Sequence, residues 1–140
     1  MIFTIPGKPQ GKARARTFYN PRLGRSQSIT PEKTVLYENL IKNCYEAASS
    51  TERWFNKEPL RMCIKAYFDI PKSVSKKQRE EMISGERTPT KKPDADNIAK
   101  VICDALNGVA YKDDTQVVSL YIEKTYTDKE PRIEVNICEL

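Results

Sequence analysis

The spacing of apolar residues changes period along this chain, and that change restricts the fold more than any single motif does. Val35, Leu36, Leu40, Ile41, Cys44, Tyr45 and Ala48 recur at helical spacing. Thr30-Pro31-Glu32 before them is a helix start: a capping hydroxyl, proline at the first helical position, an acid in the first turn. The pattern predicts a helix over 31–48, ended by Ser49-Ser50-Thr51. From Leu60 to Ile70 the period drops to two. Met62, Ile64, Ala66 and Phe68 share one face, and Arg61, Lys65 and Asp69 the other, which predicts a strand closed by Pro71. Ser75 and Gln78 form a capping-box pattern, so a short charged helix runs to about Ser84. Ile98, Val101, Ile102, Ala105 and Leu106 return to helical spacing, with Asp94 or Asp96 at the start and Asn107-Gly108 as a stop. Alternation then resumes, with Val118, Leu120 and Ile122 in one run and Ile133, Val135 and Ile137 in the next. The turn residues 128–131 between these runs predict a hairpin. A short strand over 2–5 opens the chain, cut by Pro6-Gly7. The expected order is β-α-β-α-α-β-β, a single α+β domain over 1–140 with a mostly antiparallel sheet. No apolar run approaches the ~18 residues that span a bilayer, and no signal-peptide core is present, so a soluble cytoplasmic protein is expected.

The chain contains no histidine. Mechanisms built on imidazole are excluded: Ser-His-Asp and Cys-His hydrolysis, His-ligated zinc and His-base nucleases. Hydrolytic chemistry would rest on carboxylates, lysine, tyrosine or a metal. Cys44, Cys63, Cys103 and Cys138 lie far apart in sequence, with no C-x-x-C pair, and read as buried free thiols.

Charge is divided unevenly. Residues 1–31 carry Lys8, Lys12, Arg14, Arg16, Arg22 and Arg25 and no acid, although the whole chain is only +5. Residues 7–29 read as a basic loop, with Phe18 and Tyr19 among the cations. Cations mixed with aromatic rings suit a phosphate backbone with exposed bases. The alternative is a solvated basic tail. The opposite charge gathers at 94–114, where five of the seven aspartates fall: Asp94, Asp96, Asp104, Asp113 and Asp114.

On a helix Asp96, Lys100 and Asp104 step by four along one ridge, opposite the apolar stripe. Asp94 lies just before that helix, and Asp113-Asp114 stand just before the following strand. Two carboxylates ~4 Å apart repel by about 4 kcal/mol at an effective dielectric of 20, so such a group either disperses in water or holds a cation. Short hard-oxygen ligands suit Mg²⁺ with open positions for water and phosphate. The competing reading treats Asp96-Lys100-Asp104 as surface ion pairs, Asp94 or Asp96 as a cap, and Asp113-Asp114 as a turn.

The ordered set Lys92-Pro93-Asp94-Ala95-Asp96-Asn97-Ile98-Ala99-Lys100, Asp104-Ala105-Leu106-Asn107-Gly108 and Asp113-Asp114-Thr115-Gln116-Val117 resembles the signature of RusA-type Holliday junction resolvases, particularly those of phages and prophages. The resemblance spans 92–117, with 94–117 as the metal and catalytic segment, and implies a RusA-like fold. It implies a homodimeric endodeoxyribonuclease that uses Mg²⁺, with Mn²⁺ as a substitute, and that resolves four-way DNA junctions by paired nicks in recombination and repair. It implies no small-molecule cofactor. Carried over by position, Asp94, Asp96 and Asp114 would bind the metal, Lys100 would be catalytic, and Asp104 and Asp113 would support them. Pro93 departs from the pattern, since some members carry a basic residue there; Lys91 and Lys92 are the cations nearest that place. They join Lys8, Lys12, Arg14, Arg16, Arg22 and Arg25 as expected DNA contacts. The rival functions are a non-catalytic branched-DNA-binding module, a nuclease for another branched or flapped DNA, and a metal-binding interaction protein.

Overall fold

The computed structural model describes residues 1–49 and 55–140. Four strands form one sheet: β1 (Ile2–Pro6), β4 (Leu60–Asp69), β5 (Val117–Thr127) and β6 (Arg132–Glu139), in the order β1-β6-β4-β5. β6 runs antiparallel to both β1 and β4, and β5 runs parallel to β4. The sheet is thus mostly antiparallel and the domain is α+β, as the periodicity predicts. Helix α1 (Glu32–Ala48) and helix α3 (Ala95–Leu106) cover one face, while the short α2 (Lys76–Ser84) packs near β5. Among the described residues no helix is long and apolar enough to cross a membrane.

The expected hairpin between the last two strands does not form, because β4 lies between them. Alternation decides which residues share a face, not which strand is the neighbour. β5 and β6 stand two strand spacings apart, about 9.6 Å. The four residues 128–131 can reach about 13 Å, so the link crosses the end of β4 without strain.

β4 carries the core. Leu60, Met62, Ile64, Ala66 and Phe68 face the helices, all buried, while the alternate residues face outward. Ile133, Val135 and Ile137 of β6 and Phe3 and Ile5 of β1 extend the same face. Ile98, Val101, Ile102, Ala105 and Leu106 of α3 close onto it, each contributing roughly 1.5–3 kcal/mol for a large side chain. Phe3 and Tyr45 meet edge to face, with centroids 5.6 Å apart.

Three local expectations are corrected. The buried stripe of α1 is Thr34, Tyr37, Ile41 and Tyr45; Val35 and Leu36 are exposed, because the helix is rotated to seat its tyrosines on β1 and α3. Val118 and Leu120 are also exposed, since β5 is an edge strand whose register slips opposite Leu60/Arg61. The cysteines are free, but Cys44, Cys63 and Cys103 are half-buried and Cys138 is exposed. Ser50 and Thr51 of the predicted helix stop lie outside the described residues. The capping box of α2 is present, with Ser75 Oγ accepting from Gln78 N at 3.2 Å and Gly85 in the left-handed region after the last turn.

The segment expected as a basic loop contains two strands, β2 (Arg16–Asn20) and β3 (Arg25–Ile29), paired as a separate antiparallel hairpin. Asn20 Oδ1 accepts from Arg22 N at 3.0 Å, and Asn20 Nδ2 donates to Gln27, so the turn is closed by its own side chains.

Candidate metal and DNA site

Helix α3 begins at Asp94, which has the extended backbone of a cap residue but makes no side-chain capping bond. An aspartate used as a cap gives its carboxylate to the N–H groups of the first turn. Here that carboxylate is exposed and, among the described residues, has no ion-pair partner. Asp96 and Lys100 are exposed on the outer ridge of the same helix, opposite its buried stripe. Among the described residues none of Asp94, Asp96 and Lys100 is in an ion pair. The ridge is therefore not a ladder of i,i+4 salt bridges.

Asp104 is placed differently. Its carboxylate lies 3.2 Å from Lys12 Nζ, which also donates to Glu38 of α1 at 2.6 Å. Lys12, one of the expected DNA contacts, joins the base of the arm to both helices. Burial pulls the Lys12 pKa down, but the bonds to Glu38 and Asp104 outweigh it and leave it above the ordinary lysine value.

Asp113 and Asp114 stand at a one-turn 3-10 helix over Asp114–Gln116, just before β5. Asp113 Oδ1 accepts from Thr115 N at 2.9 Å. Gln116 Oε1 accepts from the N–H groups of Lys112 and Asp113 at 3.0 and 3.1 Å. Gln116 Nε2 donates to the carbonyls of Phe55 and Glu58 at 3.1 and 3.2 Å. One side chain thus fastens the turn to a segment nearly sixty residues away. Tyr111, fully buried, donates its hydroxyl to Cys103 O at 2.8 Å and ties the approach to the last turns of α3. Burial pushes the Tyr111 pKa far above the ordinary phenol value.

The two neighbouring aspartates differ in charge environment. The Thr115 backbone N–H holds Asp113 below the usual carboxylate value. Asp114 is half-buried and raised, first by loss of water and then by Asp113 and Asp104, with Lys100 pulling the other way. Lys100, Asp104, Asp113 and Asp114 therefore share one field. Among the described residues no three carboxylate or thiol groups converge closely enough to hold a metal ion, so Asp94 and Asp96 do not close a ligand set with Asp114. The donor chemistry nonetheless fits a hard divalent cation: uncommitted carboxylate oxygens at Asp94 and Asp96, and a crowded one at Asp114.

The arm is pinned at its base and free at its tip. Lys12 N donates to Asn97 O at 3.0 Å, and Ala13 N donates to Thr34 Oγ1 at 3.3 Å. Gly11 sits so close to α3 that an added Cβ would lie 2.9 Å from Asn97 Cβ and 3.0 Å from Pro93 Cβ. Beyond this anchor Arg14, Arg16, Arg22 and Arg25 are exposed. Lys92 is exposed beside Asp94, whereas Lys91 Nζ lies 5.8 Å from the ring centroids of both Phe68 and Tyr126. Lys8 approaches Asp69 at 3.8 Å with both side chains largely in water, an interaction of little worth. Spacing did not single out Glu38, Tyr111 or Gln116. For Gln116 the signal present was its place three residues after Asp113, the capping-box offset.

A family model described as Endodeoxyribonuclease RusA matches residues 6–138. A Bacillus subtilis (strain 168) relative, the uncharacterized protein YqaN, is 38% identical over 140 residues, which cover 99% of this chain and 95% of that protein. The class of protein is a DNA-cleaving hydrolase, an endodeoxyribonuclease. Within it, the chain belongs to the RusA family.

Proposed function

We propose that this protein resolves four-way DNA junctions in recombination and repair, as a homodimer that depends on Mg²⁺ and accepts Mn²⁺. The observation that carries the reading is the arrangement at α3: a family match over the whole domain, with uncommitted carboxylates at the start of a rigid helix beside a basic arm. Asp94, Asp96 and Asp114, which stand too far apart in this arrangement to form a closed ligand set, would have to draw together to hold the metal, which when bound supplies a water of lowered pKa and neutralises charge at phosphorus. The chain's own groups do the rest. Lys100, one turn beyond Asp96, offers its ammonium to the phosphate or to the departing oxygen. Asp113 and Gln116 brace the turn on either side of Asp114. The exposed arginines of the arm grip phosphates without reading sequence. A junction has two-fold symmetry, so a two-fold dimer presents one site to each of two opposed strands.

The test is cleavage of a labelled four-way junction and a matched linear duplex, with Mg²⁺ and with chelator, by wild type and Asp96→Asn. Paired symmetric nicks in the junction alone, with Mg²⁺ alone, are expected. Asp96→Asn should still bind but cut at least ~10²-fold more slowly. Equal cutting of the duplex would overturn junction specificity, and binding without cutting would move the protein to a non-catalytic role.

A further inference from the structure

A cleft of about 590 Å³ opens between the base of the arm, the first turn of α1 and the residues leading into α3. That volume lies within the ~300–1,000 Å³ of ligand-binding clefts. Its cationic side chains come from three separate segments: Arg14 from the arm, Lys33 from α1 and Lys92 from the approach to α3. Among the described residues none of the three is in an ion pair, whereas Lys12, which also borders the cleft, is fully engaged by Glu38 and Asp104. Three cations outside any ion pair therefore line one concavity. The walls are preformed, because the Lys12–Asn97 and Ala13–Thr34 bonds hold the arm against both helices. The one acid on the lining is Asp94, itself a candidate metal ligand.

We infer that this cleft seats a backbone phosphate of the DNA strand being cut, with Lys33 as its central contact between Arg14 and Lys92. This inference rests on the proposed nuclease reading. A phosphate lodged there lies on the strand beside the one presented to Asp94, so the cleft sets which phosphate reaches the cutting residues. Lys33 stands outside the run of cations at 8–25, and only the folding of the arm against α1 brings it to them.

The experiment is junction binding in chelator from 50 to 200 mM salt, for wild type, Lys33→Gln, Lys33→Arg and the control Lys76→Gln. Lys76 carries the same charge on exposed α2 and does not line the cleft. Loss of one phosphate contact should reduce the log–log salt slope of Lys33→Gln by about 0.9 and weaken binding several-fold at low salt. Lys33→Arg should restore the slope, and Lys76→Gln should match wild type. Thermal melting of each variant checks the fold. If wild type binds and Lys33→Gln gives the same slope as Lys76→Gln, the cleft assignment is wrong and the nuclease reading stands. If wild type binds no DNA, the nuclease reading itself fails.

Discussion

The arm and the aspartate segment are both charged, both exposed and in contact at Asn97, yet they are held in opposite ways. Eight of the ten residues in β2 and β3 are exposed, and their hairpin pairs only with itself. The aspartates stand on a helix with six buried residues and on a turn held by the four side-chain bonds of Gln116. Phosphate gripping tolerates a loose frame, because screened charge attraction acts over several ångströms. Bond cleavage does not, because misplacing a reacting group by about 1 Å can cost 10²-fold in rate. Under the proposed function, the division of rigidity follows the division of chemistry.

The largest test of this contrast is Gln116→Leu. Freed from Phe55 and Glu58, the Asp113-Asp114 turn should relax, costing about 1–3 kcal/mol of stability. Cleavage should fall by about 10²-fold while junction binding in chelator stays near wild type. Equal losses of binding and cleavage would erase the distinction between the regions. The hairpin should behave in reverse. Replacing Arg16, Arg22 and Arg25 with glutamine should leave stability within about 0.5 kcal/mol, since these are exposed positions. The salt slope of binding should drop by about 2.7. An unchanged slope would place the hairpin off the DNA. The smallest effect concerns Lys12, where the two regions join. Its pKa is raised in the fold, so the stabilisation it gives is fully present below the ordinary lysine value of 10.5 and is lost as pH rises through the raised value. The stability gap between wild type and Lys12→Met should stay constant from pH 7 to 9 and shrink above 10.5. A gap that closes by pH 9 would show that the ion pairs are not its source.

Much of the fold is legible in the residues. The stripe Ile98–Leu106, the box Ser75–Gln78 and the alternation at 60–69 are local patterns, and local patterns report local structure. What is not legible depends on partners distant in sequence. Nothing in the spacing of 117–137 says that β4 fills the space between the last two strands. The hairpin at 16–29 buries no apolar face, so it leaves no period to detect; Thr17, Phe18, Tyr19 and Gly24 were its traces. At the candidate site, the ridge Asp96-Lys100-Asp104 follows from helical geometry alone. The different fates of Asp94, Asp104, Asp113 and Asp114 do not, because Lys12, Gln116 and Tyr111 decide them from other elements.

The position of β6 has a consequence for how the protein is made. Among the described residues it is the last of six strands in chain order, yet it is the only bridge between β1 and β4, and its Ile137 exchanges backbone bonds with Met1. Until residues 132–139 leave the ribosome, the first strand has no neighbour in the sheet and the helices have no finished surface to pack on. The segment 16–29 is therefore made long before the sheet beneath α1 and α3 can close, and the closing step joins strands far apart in sequence, so the core forms late and cooperatively.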